Sequence, residues 1–278
     1  MSDPGSAGAE ERLVRIALGQ YGFGDVVALD LIRHGENQVY RAGFRDGSVR
    51  AVRLQRHGTQ TVDAIRSEVS WMSAAHQAGI QVPNVQLTSH GEDVALVEDD
   101  MGQTRVVVVM SWIEGRQLAD LDPDPVVFRV GQLLAALHAF SATWTGPVWF
   151  DRHRWDSDAL VGENPRWGRA TDCCSWDART ASMLEDARVE VSGILLGLGT
   201  GPDRFGLIHA DPTPTNLLIG AGNSVSLVDF DDCGFGWFVY DLAVALWEYE
   251  EEDAFPEIKH ELLSGYFDIA DRAPVGVE

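Results

Sequence analysis

The segment LIHADPTPTNLL, residues 207–218, sets His209, Asp211 and Asn216 at fixed intervals between two apolar runs. A plain core strand needs none of these polar groups, whereas a site that positions a hydroxyl and a metal ion does. The chain continues as NLLIGAGNSVSLVDFDD, residues 216–232, in which two strand-like runs flank a turn signal at Gly222-Asn223. If those two residues form the turn, Ala221 pairs with Ser224, and Asn216 faces Asp229 directly across the hairpin. Such partners stand roughly 5 Å apart at Cβ. An amide oxygen and a carboxylate at that spacing suit magnesium, which takes few protein oxygens and fills its shell with water and phosphate. Asp211 lies in the bend before Asn216 and reaches the same space. Any one of these residues alone reads as a turn cap; three in this register read as a site.

Two kinds of segment must position them. Residues 9–21 read as a short helix, and 26–33, 38–44, 48–54, 94–98 and 105–110 read as strands separated by Gly- and Asp-bearing turns. One helix interrupts them. In TVDAIRSEVSWMSAAHQAG, Val62, Ile65, Val69 and Met72 share a face, and Gly79 marks the stop. Beyond residue 110 the pattern turns helical: Val130, Leu133, Leu134 and Leu137 make a buried stripe, and 178–198 and 240–252 are further helix candidates. The expected fold class is α+β with two lobes, a small antiparallel sheet with one helix over 1–110 and a larger, mainly helical part over 111–278.

Composition narrows the partners. The 278 residues carry 21 basic and 43 acidic side chains, a net charge of −22. That excludes the basic footprint of a nucleic-acid binder and suits a cationic small molecule, although an acidic surface also serves solubility. Lys259 is the single lysine, so an essential cation near the N-terminus must be an arginine. No signal peptide or membrane-length apolar run is visible, and three cysteines form neither a disulfide framework nor a zinc motif. The expected location is the cytoplasm.

HADPTPTN followed by VDFD resembles the catalytic loop and metal motif of the aminoglycoside phosphotransferase-like kinases, a group that includes choline and homoserine kinases and a bacterial stress-response Ser/Thr kinase. GENQVYRAGF, VRAVRLQR, RSEVSWMSAAHQAGIQVPNV, SWIEGRQL, GQLLAALHAFS and DFDDCGFGWFVYDLAVAL follow in that family's order. The resemblance implies a two-lobed protein-kinase-like fold using ATP (or GTP) and Mg²⁺. It makes Asp211 the catalytic carboxylate that takes the hydroxyl proton, and Asn216 and Asp229 the metal ligands. His209 braces the loop, and Asp241 accepts hydrogen bonds from its backbone. Arg53 stands where the family contacts the α- and β-phosphates, with Glu68 as its partner; Gly35, Asn37, Ser111, Trp112 and Ile113 fall in the nucleotide-binding segments. PTPT departs from the family's usual Leu-His-Pro-Gly between the two key residues, and the lost glycine removes easy access to positive φ, which predicts a different path for the 212–215 bend.

The implied activity is phosphoryl transfer to a hydroxyl of a small cationic molecule, of the aminoglycoside or basic cyclic-peptide antibiotic kind. Asp151, Asp156, Asp231, Glu248, Glu251 and Glu252 are the acidic candidates for holding it, and the run at 247–253 reads equally well as a solvated helix end. A stress-response-type protein kinase, a homoserine- or choline-type metabolite kinase and a catalytically silent nucleotide-binding scaffold are the alternative readings.

Overall fold

The computed structural model describes residues 4–35 and 37–270; Glu36, inside the GENQVYRAGF segment, lies outside them. The chain divides into two compact units, one of residues 1–115 with 146–151, the other of residues 116–145 with 152–278. The division falls after Gly115, and a short later segment returns to the first unit. There the Asp151 N–H donates to Ser67 Oγ at 2.8 Å.

The first unit runs α1 (Pro4–Leu18), β1 (Val26–His34), β2 (Gln38–Phe44), β3 (Val49–Leu54), α2 (Val62–Gln77), β4 (Ala95–Glu98) and β5 (Thr104–Ser111). Its sheet is antiparallel in the order β1-β2-β3-β5-β4. Side chains alternate between sheet faces, and here both faces are used. Tyr40, Ala42, Phe44, Val52, Leu54, Val107 and Val109 pack with Leu13, Val14, Ala17 and Leu18 of α1. Arg53, between Val52 and Leu54, points the other way and reaches α2. Burial on both faces explains why β5 reads as an unbroken valine run rather than an alternating one. α2 begins at Thr61, whose hydroxyl accepts the Ala64 N–H at 3.1 Å, and stops before Gly79, which has φ +89°.

The second unit comprises β6 (Arg116–Gln117), α3 (Val127–Thr143), β7 (Arg154–Trp155), α4 (Ser157–Val161), α5 (Ala178–Leu198), β8 (Phe205–Ile208), β9 (Leu217–Ile219), β10 (Val225–Leu227), β11 (Gly234–Trp237), α6 (Phe238–Trp247) and α7 (Phe255–Ala270). Its small sheets are β10-β9-β6 and β7-β11-β8. The stripe at Val130, Leu133, Leu134 and Leu137 is buried as its spacing predicts. α5 matches its expected span; none of its described residues is buried, and Asp177 caps it by accepting the N–H groups of Arg179 and Thr180, each at 2.9 Å. Among the described residues no helix is long and apolar enough to cross a membrane.

α3 and α7 approach backbone to backbone through two glycines. A Cβ on Gly131 would stand 2.0 Å from the Leu262 carbonyl oxygen, and one on Gly265 would stand 1.8 Å from the Phe128 carbonyl oxygen. Gly265→Ala gains about 1 kcal/mol in helix propensity but meets main chain, which cannot yield as a side-chain tip would. Overpacking costs about 1–3 kcal/mol, and so deep an overlap belongs at the upper end. Thermal melting should therefore show Gly265→Ala less stable than the parent.

Candidate active site

The hairpin that carries Asn216 and Asp229 is real, but its register differs by one residue from the expected one. Leu217 pairs with Leu227, Leu218 with Ser226 and Ile219 with Val225. Asn216 therefore lies opposite Val228, whose N–H donates to the Asn216 carbonyl at 2.9 Å, and does not face Asp229 directly. The cause lies in the turn: Ala221, Gly222 and Asn223 form three loop residues rather than two, with φ of +66° at Gly222 and +59° at Asn223. A one-residue slip inverts the faces of a strand. Asp229 leaves the ladder in the left-handed region, with φ 66° and ψ 69°, so its side chain is not bound to the alternation of β10.

The loop from 209 to 216 is fixed from several sides. Asp241, on the first turn of α6 and fully buried, accepts the His209 N–H through Oδ2 at 3.0 Å and the Ala210 N–H through Oδ1 at 2.7 Å. Ala210 has φ +69°, a conformation that costs a non-glycine residue about 1–3 kcal/mol and persists because Asp241 holds its amide. The positive φ of this loop thus sits before Asp211, not in the PTPT bend, where Thr213 has φ −65°. That bend is pinned by Gln117, whose Nε2 donates to the Thr215 carbonyl at 2.7 Å, and by the Asn216 N–H, which donates to the Thr213 carbonyl at 2.9 Å.

His209 ties the two arms of the site together. Its Nδ1 accepts the Asp211 N–H at 3.2 Å and its Nε2 donates to the Val228 carbonyl at 3.1 Å. Both ring nitrogens are therefore used by backbone in the neutral tautomer. Complete burial holds its pKa below the usual value against the raising pull of Asp241 and Asp229, so His209 supplies neither a charge nor a ligand. Asn216, also fully buried, donates from Nδ2 to the Asp211 carboxylate at 2.6 Å and to the Asp211 carbonyl at 2.9 Å. Asp211 itself is half-buried. Tyr240 has its pKa raised by burial first and then by Asp241, Asp232 and Asp211, which places its ring within the field of this carboxylate group.

The donor set fits a hard cation held mostly by phosphate and water. Asn216 commits Nδ2 to Asp211, so its ligand atom would be the amide oxygen, and Asp229 would add one carboxylate. Among the described residues no three His, Cys, Asp or Glu side chains group as a metal cage, so a dedicated zinc-type site is not what these residues build.

In the first unit Arg53 and Glu68 meet at 2.5 Å, with side-chain exposures of 3% and 0%. This is not a surface pair but a buried one. In the amide orientation that satisfies its neighbours, Gln55 also accepts from Arg53 Nε and Nη2 at 3.0 and 2.9 Å. Gly35 is exposed at the end of β1, and its N–H donates to the Asn37 carbonyl at 3.1 Å. Asn37 is turned inward, where its Oδ1 accepts the Arg56 N–H at 3.0 Å. Ser111 Oγ accepts the Asn84 N–H at 2.9 Å, the Trp112 ring lies 5.5 Å under the Arg41 guanidinium, and Ile113 is half-buried.

The acidic candidates for substrate contact do not form one group. Asp156 caps α4 by accepting the Ala159 N–H at 3.2 Å and pairs with Arg154 Nε at 2.8 Å, so its carboxylate is already engaged at the helix end. Asp151, Glu248, Glu251 and Glu252 are exposed, the last two at the turn between α6 and α7. Only Asp231 stays beside the Asp229 bend, where its carbonyl accepts Arg152 Nη2 at 2.6 Å.

Three supporting residues escaped sequence reading. Arg152, 5% exposed, donates to the carbonyls of Cys233 and Asp231, each at 2.6 Å, and so anchors the segment after Asp229; it was hidden in a run read for its acids. His138 and Tyr266 stand behind Asp241. His138 Nε2 meets Asp241 Oδ2 at 2.9 Å and its Nδ1 meets the Tyr266 hydroxyl at 2.9 Å. A histidine one turn beyond Leu134, inside an otherwise apolar stripe, was the available signal.

Comparison with known proteins gives a concordant picture. A family model described as a phosphotransferase enzyme family matches residues 31–275. The amicoumacin kinase of Bacillus subtilis (strain 168) is 24% identical over 274 residues, covering 93% of this chain and 76% of its own. A solved microcompartment-associated aminopropanol kinase superposes with a TM-score of 0.82 at 31% identity, over 93% of this chain and 80% of that one. Amicoumacin kinase hAmiN, solved with AMP-PNP, Ca²⁺ and Ami, superposes with a TM-score of 0.80 at 21% identity, over 100% of this chain and 82% of that one.

Proposed function

The chain belongs to this phosphotransferase family and is a small-molecule kinase; on that premise we propose that it moves the γ-phosphate of ATP or GTP to the hydroxyl of a small, amine-bearing alcohol. The observation that carries the reading is the placement of the Asp211 carboxylate, bonded to Asn216 and tied through His209 to the bend that holds Asp229. Asp211 accepts the hydrogen bond of the acceptor hydroxyl and takes its proton as the hydroxyl oxygen bonds to the γ-phosphorus and the bond to the leaving nucleoside diphosphate breaks. Asn216 and Asp229 would hold a divalent cation, which when bound neutralises charge on the phosphates. Arg53, its guanidinium plane fixed by Glu68 and Gln55, would donate to phosphate oxygens as a rigid fork.

Amine recognition is supported by the net charge of −22, by Asp231 and Asp232 following Asp229, and by the relatives, one of which is an aminopropanol kinase and another an amicoumacin kinase. An antibiotic acceptor, and hence resistance by phosphorylation, is the specific form that the amicoumacin kinases suggest.

Nucleotide consumption measured against amino alcohols, basic antibiotics, neutral alcohols, a protein and no acceptor tests the proposal. An amine-bearing alcohol should be phosphorylated, and its KM should climb with salt as the Debye length falls from about 10 Å at 0.1 M to about 3 Å at 1 M. Phosphorylation of neutral alcohols or protein alone would end the cationic reading. For the metal ligands, calorimetry should show that Asp229→Ala removes Mg-dependent nucleotide binding while Asn216→Ala weakens it less, since one loses a full charge and the other a dipole. Equal and negligible effects would remove both from the ligand set.

A further inference from the structure

Tyr266, His138 and Asp241 come from α7, α3 and α6, are each 0% exposed, and form one chain of hydrogen bonds that forks at Asp241 onto the His209 and Ala210 amides, just before Asp211. His138 Nε2 meets Asp241 Oδ2 at 2.9 Å, and its Nδ1 meets the Tyr266 hydroxyl at 2.9 Å, so both ring nitrogens are engaged by side chains. Burial, with a smaller contribution from Asp241, raises the Tyr266 pKa, so the hydroxyl keeps its proton. Phe238 stacks on the ring at 4.6 Å and 18°, so the bonds at its two nitrogens set where the ring sits within its own plane.

We propose that Tyr266 is a positioning residue for phosphoryl transfer: its hydroxyl holds the His138 ring at Nδ1, and the ring so held keeps Asp241 where it fixes the His209 and Ala210 amides. Without the hydroxyl, the ring is held at one nitrogen only. It can then shift against Asp241, and the grip of Asp241 on Ala210 loosens. Ala210 is the residue held at φ +69°, and the next residue is Asp211. A hydroxyl two side chains away thus sets the aim of the carboxylate. The kinetic part rests on the reading of Asp211 as the base; the position of the ring and the amide bonds do not.

The test uses Tyr266→Phe, which deletes one oxygen, together with His138→Gln, which keeps a side-chain N–H toward Asp241, and His138→Leu, which keeps none. Tyr266→Phe should lower kcat about tenfold, a tenfold change corresponding to 1.36 kcal/mol, with both KM values little changed. The ¹⁵N signal of His138 Nδ1 should shift in Tyr266→Phe, because that nitrogen loses its partner. The His209 and Ala210 amide protons should move upfield in the same variant. His138→Gln should retain several-fold more kcat than His138→Leu. An unchanged His138 Nδ1 signal in Tyr266→Phe would overturn the proposal, as would a Tyr266→Phe variant that melts earlier yet keeps its kcat and both amide shifts. If the parent turns over no nucleotide with any acceptor, the kinase role of Asp211 fails, and the ring and amide signals decide the relay by themselves.

Discussion

Replacing Asp211 with Asn should lower kcat by about 10²- to 10⁴-fold, the range of a lost general base, while nucleotide affinity stays close to that of the parent. The substitution is nearly isosteric, and its amide oxygen can still accept from Asn216 Nδ2, which now stands 2.6 Å from the carboxylate. The loop keeps its other ties, to His209 and Asp241, so the variant removes a proton acceptor and a charge without removing the scaffold. Steady-state turnover together with calorimetric nucleotide titration separates the two effects. A variant that keeps more than about a tenth of the parent kcat would take Asp211 out of the base role, because a tenfold loss is only 1.36 kcal/mol and a displaced water supplies as much.

Glu68→Ala should destabilise the sheet-bearing unit by about 3–5 kcal/mol, the cost of leaving a buried charge without its partner. Arg53 is 2% exposed and Glu68 0% exposed, so water cannot replace the lost carboxylate. Gln55 remains beside the guanidinium but brings a dipole where a charge stood. Removing both charges in Arg53→Met with Glu68→Ala should recover much of the loss, because a buried pair as a whole contributes little against its desolvation. Urea denaturation of the single and double variants measures both quantities. A single-variant cost under about 1 kcal/mol is what an exposed pair would give and would contradict the burial.

The sheet of the first unit was legible because alternation, Gly- and Asp-bearing turns and one uninterrupted valine run each have a single structural meaning. β2 begins and ends where the pattern places it, and the other strands deviate by a residue or so at their ends. The buried stripe of α3 and the span of α5 were equally plain. What sequence could not settle was local and conformational. Asn223 is able to take positive φ and here does so, which adds a third residue to the turn and shifts the register by one. Asp229 then leaves the strand in a left-handed conformation, which frees its side chain from the alternation of the ladder and which no pattern announces. Asp156 is a different case: its charge is visible in sequence, but the short helix that begins beside it and takes that charge as a cap is not. The support behind Asp241 was hidden for a different reason. Its partners lie 103 and 128 residues apart in sequence, and only packing of α3 against α7 brings them together.

That close glycine-to-glycine crossing of α3 and α7 also dictates an order in time. On the ribosome, His138 is made 128 residues before Tyr266; at about 5–20 residues per second, that is roughly 6–26 s earlier. Throughout the interval α3 has no α7 to cover it, and the His138 imidazole has no hydroxyl at its Nδ1. The nascent chain therefore carries Arg53, Asp211, Asn216 and Asp229 before it carries the helix that packs behind Asp241. The packing behind Asp241 is a late event of synthesis, and until then the uncovered face of α3 is the surface a chaperone would meet.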